Sequence, residues 1–420
     1  MGSYENDLII EKVAEICKSP TTKEARRLYR QYLPFLKDYK FVFGTDDKGK
    51  TPGYAVNRTF SAGAAIRSLF NTKRVLVFDP KTWSDMESSK SVYSVDHSID
   101  YSISLDTQAI SLLIPYLSGK KHSSLPEDLT EVFEFLIRNN VQVDPLPYLS
   151  ENHLKLGNPE TADGVYRTLK AYEVLRNLDV GWFKQHGKIC STLTDHELTI
   201  KAQQHLSRMY LESKDKPAMD GLLFRHRFMY VLLLKMAAIQ LKSPKATLNN
   251  KLSLFLQFCD DEIANLPLRE TILAKAYFER GQKFDFFGKI QKNKDDILVQ
   301  LANMAWDLWH IRQMEEVMTF PPLNGARYHL PALLTFDKRF IEVIDLYPMK
   351  SIAYNVVNPC LIPFYYDDWV NLFSPDQNTS LDISDYFSEQ SRASRKRRLH
   401  QARTQLPEIV KRLEAEILQL

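Results

Sequence analysis

The chain has 420 residues, enough for about two to three domains. Hydrophobic residues make up 44% of it, and its 14 glycines and 20 prolines are too few for a fibrous or low-complexity protein. The formal net charge is only +3, so a nucleic-acid partner would have to bind a local basic patch and not respond to the field of the whole protein. Composition predicts a globular protein and leaves its function open.

The lack of a recognisable targeting signal and the spacing of the cysteines predict a cytoplasmic location. The N-terminal residues contain no basic segment followed by an apolar stretch, so we expect no secretory signal. The most apolar run, residues 229–241, is short and contains Lys235, so we expect no membrane association. No C-x-x-C pair occurs, and single cysteines favour a reducing compartment. They are Cys17, Cys190, Cys259 and Cys360.

The first 95 residues mix helical and strand patterns. Apolar positions at helical spacing predict two short helices within residues 6–43. Apolar runs at 39–43 and 74–78 have the length of β-strands. Residues 86–98 are rich in serine and aspartate, as is typical of a surface loop. We therefore predict an N-terminal α+β extension over residues 1–95.

One motif in this extension matches a nucleotide-binding loop. Residues 44–51 fit G-x-x-x-x-G-K-T, and a strand-like run ending at Asp79 follows. However, Asp46 and Asp47 would place carboxylates where a phosphate binds, and Pro52 opposes a helix directly afterwards. We interpret the motif as a polar turn. A nucleotide hydrolase that depends on Lys50 is the weaker alternative.

Residues 96–357 predict an alternating α/β core with a helical interruption. A strand at 101–105 ends at Asp106 and leads into a helix, and further helices and a short strand follow to residue 160. Residues 161–290 are predominantly helical in pattern and predict an all-α insertion. Residues 291–357 predict the second part of the core, with a long helix and a strand that ends at Asp337.

The predicted C-terminal tail, residues 358–420, is basic and helical. Apolar residues at heptad spacing from Leu406 to Leu420 predict packing on the parent domain or self-association as a homo-oligomer, and a regulatory protein is a further candidate partner. A preceding basic cluster favours nucleic-acid binding, with an exposed tail or a nuclear-type basic signal as the alternatives. Its members are Arg392, Arg395, Lys396, Arg397, Arg398 and Arg403.

Four acidic residues form the candidate site. Asp106 and Asp337 each follow a strand, at the edge where an α/β sheet presents its ligands. Asp307 lies in an aromatic, apolar helix, where a buried carboxylate needs a partner such as a metal ion. Glu151 follows a proline-containing segment. The alternative for each residue is an ordinary helix cap or a solvated helix start.

The order of these elements resembles that of the PIN-domain nucleases. Their motifs are a strand-end Asp-Thr/Ser, a Glu, a helical Asp and a strand-end Thr-x-Asp-x-x-Phe, and residues 335–340 here read Thr-Phe-Asp-Lys-Arg-Phe. The resemblance covers residues 96–160 and 290–357. It implies a Rossmann-like parallel sheet, and an acidic Mg²⁺ or Mn²⁺ pocket that cleaves phosphodiester bonds, with RNA favoured over DNA. By that analogy the catalytic metal ligands are Asp106, Glu151, Asp307 and Asp337.

Four further residues belong to the predicted substrate site. Thr107 and Thr335 are placed to cap a helix or to orient a metal-bound water, and Lys338 and Arg339 are placed to bind a phosphate. Helix-start surface is their alternative role. We therefore predict a metal-dependent nuclease with a PIN-like α/β core. The competing hypothesis is a largely helical scaffold without catalysis that binds nucleic acid or protein.

Overall fold

The computed structural model describes residues 2–88, 98–119, 125–323, 325–357, 360–373 and 381–420. The predicted boundary at residues 95 and 96 lies outside the described residues. The chain divides into two units, each assembled from separate segments of sequence. The first unit is Met1–Lys214, Arg312–Ile341 and Pro348–Tyr366, and the second is Asp215–Ile311, Glu342–Tyr347 and Asp367–Leu420.

The first unit holds all the described strands and ten complete helices. Its strands are β1 (Tyr39–Thr45), β2 (Arg58–Thr59), β3 (Ala65–Ser68), β4 (Arg74–Phe78), β5 (Ile99–Leu105), β6 (Val143–Asp144), β7 (Tyr328–Thr335), β8 (Met349–Asn355) and β9 (Cys360–Tyr365). Its helices are α1 (Gly2–Lys18), α2 (Thr22–Tyr32), α3 (Pro80–Ser88), α4 (Thr107–Ser111), α5 (Leu113–Leu117), α6 (Leu129–Arg138), α7 (Leu146–His153), α8 (Pro159–Arg176), α9 (Val180–His186) and α10 (Asp195–Glu212).

A four-stranded antiparallel sheet has the order β4-β1-β8-β9. Phe41 of β1 lies opposite Phe78 of β4 and Ala353 of β8, and these side chains are buried with Tyr29 of α2. The predicted N-terminal extension is therefore not a separate layer, since its strands pair with residues about 300 positions later. Strand β9 also lies within the segment that we predicted to be a helical tail.

The residues that match the nucleotide-binding motif form the end of β1 and a turn. Lys50 pairs with Val75 of β4 through two backbone hydrogen bonds of 2.9 Å, and the chain then continues to β2. Thr45 Oγ1 donates to Asp47 Oδ1 at 2.8 Å, which stabilises the turn. A phosphate-binding loop requires a helix directly after the lysine, and β2 is the next element here.

A five-stranded sheet has the order β2-β3-β7-β5-β6. Strands β6, β5 and β7 are parallel to each other, whereas β3 is antiparallel to β7 and β2 to β3. The mixed α/β class is thus confirmed, but the sheet is not wholly parallel as predicted. Ile103, Leu105, Ala332 and Leu334 bury one face of this sheet in the main core of the first unit.

The second unit is helical. Its elements are α11 (Lys216–Lys242), α12 (Leu248–Asp261), α13 (Leu268–Arg280), α14 (Ile297–Val317), α15 (Lys338–Asp345), α16 (Trp369–Leu372) and α17 (Glu389–Leu418), and the division from the first unit falls within α14 and α15. The predicted insertion at 161–290 is split, because α8, α9 and α10 belong to the first unit. Within the described residues, every helix is too short or too polar to span a bilayer.

The apolar stripe of α17 is buried inside the second unit. Leu406, Leu413 and Ile417 are at most 4% exposed, and α17 packs against α11. Of the two roles that we predicted for this stripe, packing on the parent domain and self-association, the structure shows the first. Part of the basic cluster is also used internally, since Arg395 and Arg398 form ion pairs with Asp260 of α12 at 2.7 and 3.2 Å.

Replacement of Leu413 by Ala should lower the free energy of unfolding by about 2 to 3 kcal/mol, because it removes buried methyl groups and leaves a cavity. Leu418→Ala on the same helix is the matched control, since Leu418 is 64% exposed. Urea titration followed by circular dichroism measures both variants. Equal destabilisation by the two substitutions would contradict the burial of this stripe.

Candidate active site

Two of the predicted acids lie at the carboxyl ends of neighbouring parallel strands. Leu105 at the end of β5 lies opposite Leu334 of β7, and the Asp106 amide donates to the Leu334 carbonyl at 3.1 Å. Asp337 follows β7 by two residues. Both acids therefore belong to one edge of the five-stranded sheet, where an α/β sheet presents its ligand site.

Asp106 is a buried helix cap. It is 6% exposed, and its Oδ1 accepts the Ala109 amide in the first turn of α4. This cap was the alternative role in the sequence and is confirmed. The cap uses one carboxylate oxygen of Asp106. The N-terminus of a helix also stabilises a negative charge placed beside it.

Glu151 is joined to this strand end through the predicted site residue Thr107. Thr107 Oγ1 donates to Glu151 Oε1 at 2.6 Å, and Glu151 lies on α7, half-buried. The neighbouring Ser150 accepts a hydrogen bond of 2.9 Å from Gln313 in the last turns of α14. The structure thus places Asp106, Thr107 and Glu151 next to each other, although 44 residues separate Thr107 from Glu151.

Asp337 forms a close ion pair with Arg339. Arg339 Nη2 donates to Asp337 Oδ2 at 2.7 Å and Nε donates to Oδ1 at 3.0 Å. Burial opposes ionisation of this carboxyl, but the Arg339 guanidinium outweighs it and lowers the pKa of Asp337. Both residues were predicted to bind other groups, Asp337 a metal ion and Arg339 a phosphate, and in this structure they bind each other.

Thr335 and Lys338 differ sharply in exposure. Thr335 is fully buried, and its Oγ1 accepts the Asp337 amide at 3.0 Å, so it fixes the backbone that carries Asp337. Its predicted role in the substrate site stays a prediction. Lys338 is exposed, and its stem lies against Gly63, where a Cβ atom would come within 2.5 Å of Lys338 Cε. Its ammonium group remains on the surface, where a phosphate can bind it.

Asp307 lies on α14 in the second unit and is half-buried. The other three predicted acids, Asp106, Glu151 and Asp337, belong to the first unit. Among the residues that the structure describes, no group of three or more His, Cys, Asp or Glu side chains is close enough to hold a metal ion. The four-acid metal centre stays a prediction.

Sequence reasoning missed a further carboxylate, Asp144, at the end of β6. It lies opposite Ser104 of β5, accepts a 3.0 Å hydrogen bond from Ser104 Oγ and a 2.9 Å bond from the Leu146 amide. Burial raises the pKa of Asp144 in spite of these bonds. The signal was present, because Asp144 directly follows a short strand-like run, as Asp106 does. We call the carboxyl ends of β5, β6 and β7, with Asp106, Asp144 and Asp337, the acidic edge.

A row of polar side chains on β5 leads to the acidic edge. Positions 100, 102, 104 and 106 are Asp, Ser, Ser and Asp, and the intervening residues are Tyr, Ile and Leu. Ser102 Oγ lies 3.1 Å from His329 Nε2 on β7, and His329 Nδ1 lies 3.5 Å from Asp100 Oδ2. This period-2 pattern gives the strand one polar face and one apolar face.

Asp144→Asn should make the protein more stable at pH 7 and leave its stability unchanged below about pH 4. A carboxyl whose pKa is raised in the folded state stabilises that state at low pH, and this contribution is lost as the pH rises through the folded pKa. The amide keeps an acceptor for the Leu146 amide without the charge. We expect the melting temperature at pH 7 to rise by about 2 to 4 °C. A lower melting temperature at pH 7 would contradict the raised pKa.

The donor atoms at the acidic edge suit a hard cation. Asp106 and Glu151 offer carboxylate oxygens and Thr107 a hydroxyl, and Mg²⁺ and Mn²⁺ prefer oxygen ligands of this kind. Among the described residues, the cysteines are elsewhere: Cys17 and Cys259 are buried in other elements and Cys190 follows α9.

No protein-family model, curated protein or solved structure matches the chain.

Proposed function

We propose that the first unit is a divalent-cation-dependent phosphodiesterase that cleaves RNA at the acidic edge. The observation that carries the proposal is the contact of Thr107 with Glu151, which joins a glutamate from α7 to the strand end that holds Asp106. The parallel order β6-β5-β7, with an aspartate at each carboxyl end, also supports it. The resemblance to PIN-domain nucleases adds to this support, since it implies acidic metal ligands at such strand ends.

Asp106 and Glu151 are the residues that would hold Mg²⁺ or Mn²⁺. The bound ion would polarise a phosphoryl oxygen and lower the pKa of an attacking water. Thr107 orients the Glu151 carboxylate through its hydrogen bond, and the Ala109 amide orients Asp106. Asp337, which pairs with Arg339, is a further proposed ligand. Asp307 belongs to the second unit, so this proposal for the first unit does not include it, and its predicted role stays a prediction.

The basic residues that follow β7 would bind the substrate phosphates. Lys338 is exposed, and the half-buried Arg339 has N–H donors beyond the two that it gives to Asp337. Arg339 donates through a planar fork that matches phosphate oxygens, whereas Lys338 acts as a point charge. RNA is preferred over DNA on the family resemblance alone, so the substrate class must be measured directly.

The test is cleavage of end-labelled single-stranded RNA and DNA of the same sequence, each with Mg²⁺, Mn²⁺ or EDTA. We expect RNA to be cut with either metal and to stay intact with EDTA. Binding of Mn²⁺, followed by electron paramagnetic resonance, should weaken in Glu151→Gln and stay unchanged in Glu160→Gln, an exposed residue at the start of α8. Unchanged Mn²⁺ binding in Glu151→Gln would overturn the proposed site even if some cleavage is observed.

A further inference from the structure

A second candidate site lies in the first unit, beside the antiparallel sheet and built from other elements than the acidic edge. It is a cavity of about 660 Å³ that is bordered by the first turn of α2, the turn after β1 and strand β4. Lys23, Arg26, Lys48 and Arg74 line it, together with Leu76. The volume falls in the range of about 300 to 1,000 Å³ that is typical of small-molecule sites.

The charged side chains that line this cavity are all basic. Its described lining residues carry four cationic side chains and no carboxylate. The two carboxylates of the adjacent turn bond elsewhere: Asp46 Oδ1 accepts the Lys73 amide at 3.0 Å, and Asp47 Oδ1 accepts Thr45 Oγ1 at 2.8 Å. These aspartates led us to reject a phosphate site from the sequence. Neither aspartate lines the cavity, so a ligand bound there would meet the four basic side chains first.

Four like charges around one concavity favour an anion with several negative charges. Arginine pairs with phosphate oxygens through two parallel hydrogen bonds, and lysine binds them as a compact charge. The dipole of α2 adds positive potential, because its first turn borders the cavity. Leu76 gives the wall an apolar part that a base or sugar can contact.

We propose that this cavity binds a small polyphosphate, either free or as part of a nucleoside triphosphate. The proposal is for binding and includes no hydrolysis, since Lys50 pairs with Val75 and no helix follows the turn directly. It is independent of the cleavage proposed at the acidic edge, because the lining elements are α2, β1 and β4 and not β5, β6 or β7.

Isothermal titration calorimetry with the full chain in EDTA tests the proposal, with ATP and inorganic tripolyphosphate as the two probes. We expect both to bind, and Lys23→Ala and Arg74→Ala each to weaken binding about ten-fold or more. Lys37→Ala and Lys81→Ala are the matched controls, because both lysines are exposed in the same unit and neither lines the cavity. All four variants should keep the wild-type melting temperature and rate of RNA cleavage.

The two probes also distinguish the sources of the phosphate. Tighter binding of ATP than of tripolyphosphate would assign the site to a nucleotide, and equal binding would assign it to the polyphosphate group alone. Either result, with loss in Lys23→Ala and Arg74→Ala, supports the proposal. It is overturned if neither probe binds at millimolar concentration, if the control lysines weaken binding equally, or if a single-stranded oligonucleotide binds more tightly through the same residues.

Discussion

Replacement of Asp106 by Asn is expected to reduce metal-dependent cleavage by about 10³-fold or more, because losing a metal ligand removes several kcal/mol of transition-state stabilisation. The asparagine side chain keeps an oxygen that accepts the Ala109 amide, so the cap of α4 survives while the negative charge is lost. We therefore expect the melting temperature to change by no more than a few degrees. Initial rates on labelled RNA and a thermal melt of the same preparation measure the two effects.

The matched control for this variant is Asp179→Asn. Asp179 caps α9 in the same unit and accepts the Trp182 amide at 2.8 Å, as Asp106 does in α4. It has no place at the acidic edge, so its Asn variant should cleave at the wild-type rate. If both variants lose cleavage equally, or if Asp106→Asn cleaves normally, Asp106 is only a cap and the proposed site is wrong.

The local part of this site could be predicted from sequence. An acid directly after an alternating or apolar run marks a strand end, and this signal located Asp106 and Asp337 correctly. The same signal was present at Asp144, whose strand of two residues is too short to stand out. Asp337 and Arg339 are only two residues apart, so their ion pair could also have been predicted. We instead predicted that Asp337 binds a metal ion and Arg339 a phosphate.

The non-local part could not be predicted. Strand β1 pairs with β8, which begins more than 300 residues later, and no periodicity in either segment specifies its partner. The short strands β2 and β3 turn the parallel sheet into a mixed one, and a run of two to four residues gives no reliable pattern. In α17 the heptad spacing correctly indicated a buried stripe, but spacing alone does not distinguish a second copy from the chain's own α11.

The fold of the first unit depends strongly on a buried carboxylate, Asp79, and Asp79→Ala should lower its free energy of unfolding by about 3 to 5 kcal/mol. Asp79 is 4% exposed and directly follows β4 of the antiparallel sheet. It accepts the Thr82 amide at 2.8 Å and the Thr82 hydroxyl at 2.6 Å, and it also accepts the hydroxyl of Tyr328. Because Tyr328 begins β7, this carboxylate joins an element of one sheet to the other, and alanine leaves buried donors without an acceptor.

The loss of unfolding free energy in Asp79→Ala should depend on pH, because the hydrogen bonds that Asp79 accepts change the pKa of its carboxyl group. Burial disfavours the charged carboxylate, but the hydrogen bonds from Thr82 and Tyr328 outweigh it and lower the pKa of Asp79. Such a group stabilises the folded state above its ordinary pKa of about 3.9, and this contribution is lost as the pH falls through the folded pKa. The difference in unfolding free energy between wild type and Asp79→Ala should thus be largest near pH 7 and shrink in acid, as urea titrations across that range would measure.

Asp47→Ala is the control, since Asp47 is exposed and bonds within a turn, and it should leave stability nearly unchanged. If the loss of unfolding free energy in Asp79→Ala stays constant down to pH 2, the negative charge of Asp79 does not stabilise the fold.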